Sequence, residues 1–155
     1  MSCSDSDKRK VNCVCEVLRA IKNIQDTAVE EECEVCGTDC FLEPLGELNP
    51  AKSRRPVDTR VFTLYTKKGE LFKALFKDVL PGPDVCGRSV FFRVENIFDN
   101  CCATLRVLRA KGTSSEHPNL CDLTGFEATD SCLTVDLHCF CAVQCIADVD
   151  LGICI

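Results

Sequence analysis

The sequence predicts a mainly β protein, an antiparallel sheet or β-sandwich with one N-terminal helix. Three observations lead there. Apolar residues recur at helical spacing in one stretch, Val11 to Glu32. From Val61 onward the period falls to two, in several separate runs. The chain has 155 residues, 46% of them hydrophobic, which suits one core of ordinary domain size, with no internal repeat to suggest a second.

Residues 1–10 are polar and read as a flexible N-terminal arm, with residues 11–155 forming a single domain. The spacing of Val14, Val17, Leu18, Ile21 and Ala28 predicts a helix over about 12–28, with Ile24 at the margin of the stripe. Asn12 is placed to cap it. The run Glu30-Glu31-Glu32 opposes the dipole at a helix C-terminus, so the helix is expected to stop near Thr27. Cys13 and Cys15 stand in its first turn, two residues apart, and cannot share a face.

Residues 33–60 read as a cysteine-rich loop, punctuated by Pro44, Gly46, Pro50 and Pro56, with a basic patch at Lys52, Arg54 and Arg55 that reads as solvated. The β-rich body occupies 61–155. Val61 to Thr66 alternates as a strand, Lys67-Lys68-Gly69-Glu70 supplies a turn, and Leu71 to Phe76 is expected to complete a hairpin. Pro81, Gly82 and Pro83 interrupt the chain. Val90, Phe92 and Val94 alternate with Phe91, Arg93 and Glu95, the pattern of a half-buried strand. Asp99-Asn100 turns it into Ala103, Leu105 and Val107, residues 110–131 read as loop, and Leu133, Val135 and Leu137 open the last strand.

The net charge is −6, from 24 acidic and 18 basic residues, the wrong balance for a nucleic-acid ligand. No run approaches the ~18 apolar residues of a membrane span, and the polar start Met1-Ser2-Cys3-Ser4 carries no secretory h-region. Synthesis in a reducing cytoplasm is therefore expected. Yet 15 of 155 residues are cysteine, a load typical of disulfide scaffolds in oxidising compartments. The thiols could hold metal, could be redox-active, or could stay reduced during synthesis and oxidise later.

The pattern argues against catalysis. A cysteine nucleophile needs a base, and the two histidines serve poorly: His117 precedes Pro118 in a loop, and His138 neighbours Cys139 in what reads as a strand, where adjacent side chains diverge. Asp148-Val149-Asp150-Leu151-Gly152 has the start of a calcium loop without the ligands that should follow. Cys33-x2-Cys36-x3-Cys40 and Cys139-x-Cys141-x3-Cys145 are spaced for a thiolate cage, making a zinc-binding or thiol-redox module the alternative reading. A zinc site takes about four ligands and leaves most of the fifteen unexplained. Cys33 and Cys36 follow a helix instead of opening one after a strand, as redox pairs do. Cys101-Cys102, if in a strand, sends one thiol inward and one outward. Fifteen is odd, so at least one thiol cannot pair within its own chain. Cysteines on both faces of a small acidic domain suit bonds between molecules.

Several stretches together resemble the cysteine-rich spore coat and exosporium proteins of Bacillus and its relatives, the coat protein Y/Z and exosporium protein Y family. They are Cys13-Val14-Cys15, Phe62-Thr-Leu-Tyr65-Thr-Lys-Lys-Gly69, and Val90-Phe-Phe-Arg-Val-Glu95. The most specific are Cys101-Cys-Ala-Thr-Leu-Arg-Val-Leu108 and the segment from Cys132 to Ile146, which holds Cys132, Cys139, Cys141, Cys145 and Gln144. Departures fall at Lys52 to Arg55 and Gly112 to His117, both read as loops.

The resemblance implies a structural protein, not an enzyme, needing no cofactor. It would be made in the mother-cell cytoplasm and laid down on the spore surface, in the outer coat, crust or exosporium. It would assemble with itself, as a hexamer and then a two-dimensional hexagonal lattice cross-linked by disulfides, alongside other coat and exosporium proteins. Oxidation after the mother cell lyses reconciles the cysteine load with the compartment. All fifteen cysteines are cross-link candidates: Cys3, Cys13, Cys15, Cys33, Cys36, Cys40, Cys86, Cys101, Cys102, Cys121, Cys132, Cys139, Cys141, Cys145 and Cys154. Bonds between molecules are expected to concentrate in residues 3–40, where the chain is freest, with the C-terminal cluster meeting that arm or pairing locally.

Overall fold

The computed structural model describes residues 12–33, 57–78 and 84–153. The expected arm at 1–10, the basic patch at Lys52 to Arg55 and the break at Pro81 to Pro83 lie outside these residues.

The fold is mainly antiparallel β with a single N-terminal helix, α1 (Cys13–Cys33). Asn12 caps it, its Oδ1 accepting from the Cys15 amide at 3.2 Å and its carbonyl from Glu16 at 3.0 Å. Seven strands follow among the described residues: β1 (Thr59–Thr66), β2 (Ala74–Asp78), β3 (Val85–Ser89), β4 (Phe91–Ile97), β5 (Cys102–Lys111), β6 (Gly125–Asp136) and β7 (Phe140–Val149). Five form one sheet in the order β6-β5-β4-β1-β7, and β2 and β3 form a separate two-stranded sheet.

One face of the large sheet presents Phe62, Leu64, Phe92, Val94, Leu105 and Val107, all fully buried. They join one core with Val14, Cys15, Leu18 and Ile21 of α1 and with Ala74 and Phe76 of β2, so the helix and the small sheet share that cluster. A second cluster gathers Val61, Val90, Phe91, Leu108 and Phe126, where the Phe91 and Phe126 rings meet edge to face at 4.9 Å.

Several expectations need correction. The helix does not stop near Thr27 but runs through Glu30, Glu31 and Glu32 to Cys33. Glutamate is a strong helix former, and an unfavourable charge at the dipole costs only ~0.3–1 kcal/mol. Leu71 to Phe76 completes a hairpin with β1 only over its first two residues. The turn forms, with Gly69 at φ +81° and its amide on the Thr66 carbonyl at 2.8 Å; the Thr66 amide on Glu70 O and the Phe72 amide on Leu64 O, both at 2.8 Å, then pair the two arms around a bridge between Tyr65 and Leu71. Beyond Phe72 the chain leaves β1, and β2 pairs with β3 instead. Strand β4 is not half-buried: Val90, Phe91, Phe92, Arg93 and Val94 are all buried, as befits the central strand with a cluster on each face. The buried Arg93 pairs with Glu95 at 2.8 Å and donates from Nε to Thr59 Oγ1 at 2.8 Å.

Residues 110–131 are not all loop, because β6 begins at Gly125 and pairs with Lys111. Leu133 and Val135 belong to β6, while Leu137 opens a 3-10 turn, Leu137–Cys139, that leads into β7. His138 lies in that turn, not in a strand.

Candidate functional site

The chemistry this chain offers is its set of thiols, and the fold sorts them. Cys15 is fully buried in the apolar stripe of α1 and bonds Cys101 within the chain, with Cα atoms 5.8 Å apart. Cys101 occupies the turn between β4 and β5, with a left-handed backbone at φ +62°. Such a conformation costs a non-glycine residue roughly 1–2 kcal/mol. Here it is held from three sides. The Cys101 amide donates to Phe98 O at 3.0 Å, its carbonyl accepts from Leu137 at 3.0 Å, and Arg19 Nη2 of α1 donates to Phe98 O at 3.0 Å. Cys15 is therefore not a link from a mobile arm to a neighbour; it fixes the helix to its own sheet. Cys101 and Cys102 do divide, as adjacent residues should, but through a turn: Cys101 packs against the core and Cys102 stays free and half-buried at the start of β5.

A second tie uses no sulfur. Gln25, 2% exposed, donates from Nε2 to Val94 O at 3.0 Å and accepts the Arg60 amide on Oε1 at 3.0 Å. It occupies the stripe position next to Ile24, which is 48% exposed. Sequence reading missed Gln25, although the spacing 14, 18, 21, 25 contains it.

Seven described cysteines are free: Cys13, Cys86, Cys121, Cys132, Cys141 and Cys145 are exposed, and Cys102 is partly so. They stand on different elements. Cys13 is in the first turn of α1, Cys86 on β3 opposite Lys77, Cys121 in the β5–β6 loop, Cys132 on β6 opposite Arg106, and Cys141 and Cys145 on β7. Cys139, in the 3-10 turn, is disulfide-bonded. Cys3, Cys36, Cys40, Cys154 and the Cys33 side chain lie outside the described residues.

The fold does not gather the remaining candidates. Among the described residues no three of His, Cys, Asp and Glu stand close enough to share a metal ion, Cys139, Cys141 and Cys145 included. His138 Nδ1 lies 2.7 Å from Asp136 Oδ1, and the His117 side chain is 75% exposed. Asp148 is engaged by Arg60, at 2.7 Å from Nε and 3.0 Å from Nη2, which holds its carboxyl below the usual range. Asp150 accepts from the Gly152 amide at 2.9 Å. No helix among the described residues is long and apolar enough to cross a membrane.

Comparison with known proteins places these features in a lineage. A family profile described as spore coat protein Z matches residues 1–148. Spore coat protein Z of Bacillus subtilis (strain 168) is 34% identical over 146 residues, spanning 87% of this chain and 88% of that protein. No solved structure matches.

Proposed function

The chain belongs to the spore coat protein Z family, and on that premise we propose that it is a structural, non-catalytic subunit of the outer layers of a bacterial spore. It assembles with itself into rings of six and then into a two-dimensional hexagonal lattice, among other coat and exosporium proteins. It is made with reduced thiols in the mother-cell cytoplasm and becomes cross-linked when the surroundings turn oxidising. One observation supports the reading above the rest: six exposed free thiols are spread over α1, β3, β6, β7 and the β5–β6 loop of one domain. A buried thiol acts as a small hydrophobe, whereas exposed thiols on separate elements are available to neighbours on several sides.

The test is to oxidise the purified full-length chain in air and heat it in detergent with and without reductant. Species far above 17.1 kDa that collapse to the single chain on reduction support the proposal. A single-chain band without reductant, or near-stoichiometric zinc by elemental analysis with few disulfides, overturns it.

A further inference from the structure

We infer that β7 is the edge at which one copy of the chain meets a second, with Cys141 of each copy bonded to Cys145 of the other. This rests on the structural-subunit reading above and adds the surface and its register.

The two outer strands of the large sheet are not equivalent. Strand β6 carries Asp130 and Asp136, besides Glu127, which Arg109 and Lys111 already pair, so a second β6 beside it would bring carboxylates together. It is also partly covered, since the Lys77 amide of β2 donates to Ser131 Oγ at 3.0 Å. Among the described residues, strand β7 has neither protection. From Phe140 to Ala147 it contains no charge, proline or glycine, and its one acidic residue, Asp148, is already paired with Arg60. Edge strands that must stay unpaired usually carry lysine, proline or an inward-pointing charge. Among the described residues β7 is laddered to β1 alone, leaving its other side for strand addition.

The occupant is identified by the thiols. Cys141 and Cys145 are free, exposed and placed symmetrically about Val143. When two β7 strands pair antiparallel about a two-fold axis at Val143, residue 141 of each stands opposite residue 145 of the other, giving two equivalent bonds. Directly opposed residues have Cα atoms about 4.5–5.5 Å apart, inside the roughly 4.4–6.8 Å that a disulfide spans. The β1–β7 register shifts between Tyr65 and Thr66, so the ladder steps over Cys141. Its Sγ rests on Thr66 O at 3.0 Å, a contact it gives up on turning to the neighbour. Each bond forms as two thiols lose two protons to water and two electrons to dissolved dioxygen, which leaves as hydrogen peroxide. A two-fold contact cannot close a ring of six, so this edge joins one ring to the next.

The experiment mixes reduced full-length chain with its 15N-labelled form, oxidises the mixture in air, and digests the assemblies unreduced with elastase. Cutting after Ala142 or Val143 separates the two cysteines for mass spectrometry. The expected result is a Cys141–Cys145 pair in which the two peptides carry different isotopes, lost in both Cys141→Ser and Cys145→Ser. Mixed-isotope disulfides elsewhere, with Cys141 and Cys145 free or joined to other cysteines, overturn this surface while leaving the subunit reading intact. Absence of any mixed-isotope disulfide removes both.

Discussion

Cys15 closes 86 residues of chain by its bond to Cys101. On a chain-entropy argument a loop of that size contributes about 4.6 kcal/mol by restricting the unfolded state. Cys15→Ser should lower the stability of the oxidised protein by that order in urea unfolding, and reductant should lower the parent at least as much, because it also opens the bond at Cys139. Melts unaffected by either change would mean that the bond contributes nothing in solution. Gln25 is the complementary case. Its amide satisfies the Val94 carbonyl and the Arg60 amide in a buried setting. Gln25→Ala leaves both without that partner and should cost ~1–3 kcal/mol, in either redox state. A loss confined to the oxidised protein would contradict this assignment. Together the two ties explain how α1 can be seated before oxidation: the amide contacts need no oxidant.

At the scale of elements, the β1–β7 ladder carries the Arg60–Asp148 pair one step in from its end, and the β5–β6 ladder carries Arg109 opposite Glu127. Hydrogen bonds from Arg60 and Arg109 hold both carboxyls below their usual range. The sign follows from linkage: a depressed carboxyl contributes stability above its unfolded pKa and loses it as pH falls through the folded one. Acidification through the carboxylate range should therefore weaken the fold, more steeply in the parent than in Arg60→Gln, and less so in high salt because these pairs are partly exposed. Equal slopes in parent and variant would discount the pair.

Elements with strong local periodicity were legible from sequence: the helical stripe from Val14 to Ile21, the alternation of β5, and the Asn12 cap. What escaped was set by partners distant in the chain. Val85 to Ser89 has too little apolar alternation to announce a strand and is one because β2 lies beside it. Gly125 to Ser131 carries one large apolar side chain, Phe126, and is ordered by its ladder to Leu108 through Lys111. The assignment of Leu71 to Phe76 holds only as far as Phe72, because a turn sequence cannot reveal that the chain from Ala74 onward pairs with β3. Among the thiols, the helical period showed that Cys13 and Cys15 diverge. The Cys15–Cys101 pairing depends on a left-handed turn that no spacing discloses.

For the molecule as a whole, the internal bond withdraws Cys15 and Cys101 from exchange with neighbours, while exposed thiols remain at both edges of the large sheet, at Cys132 and at Cys141 and Cys145. A closed ring needs one heterologous contact and an array of rings needs a second, so a planar lattice demands at least two distinct surfaces. The most direct measurement is electron microscopy of the full-length chain after air oxidation. The proposal predicts planar arrays with six-fold order that disperse when reductant is added. Discrete single chains, with their thiols still titratable after oxidation, would contradict it.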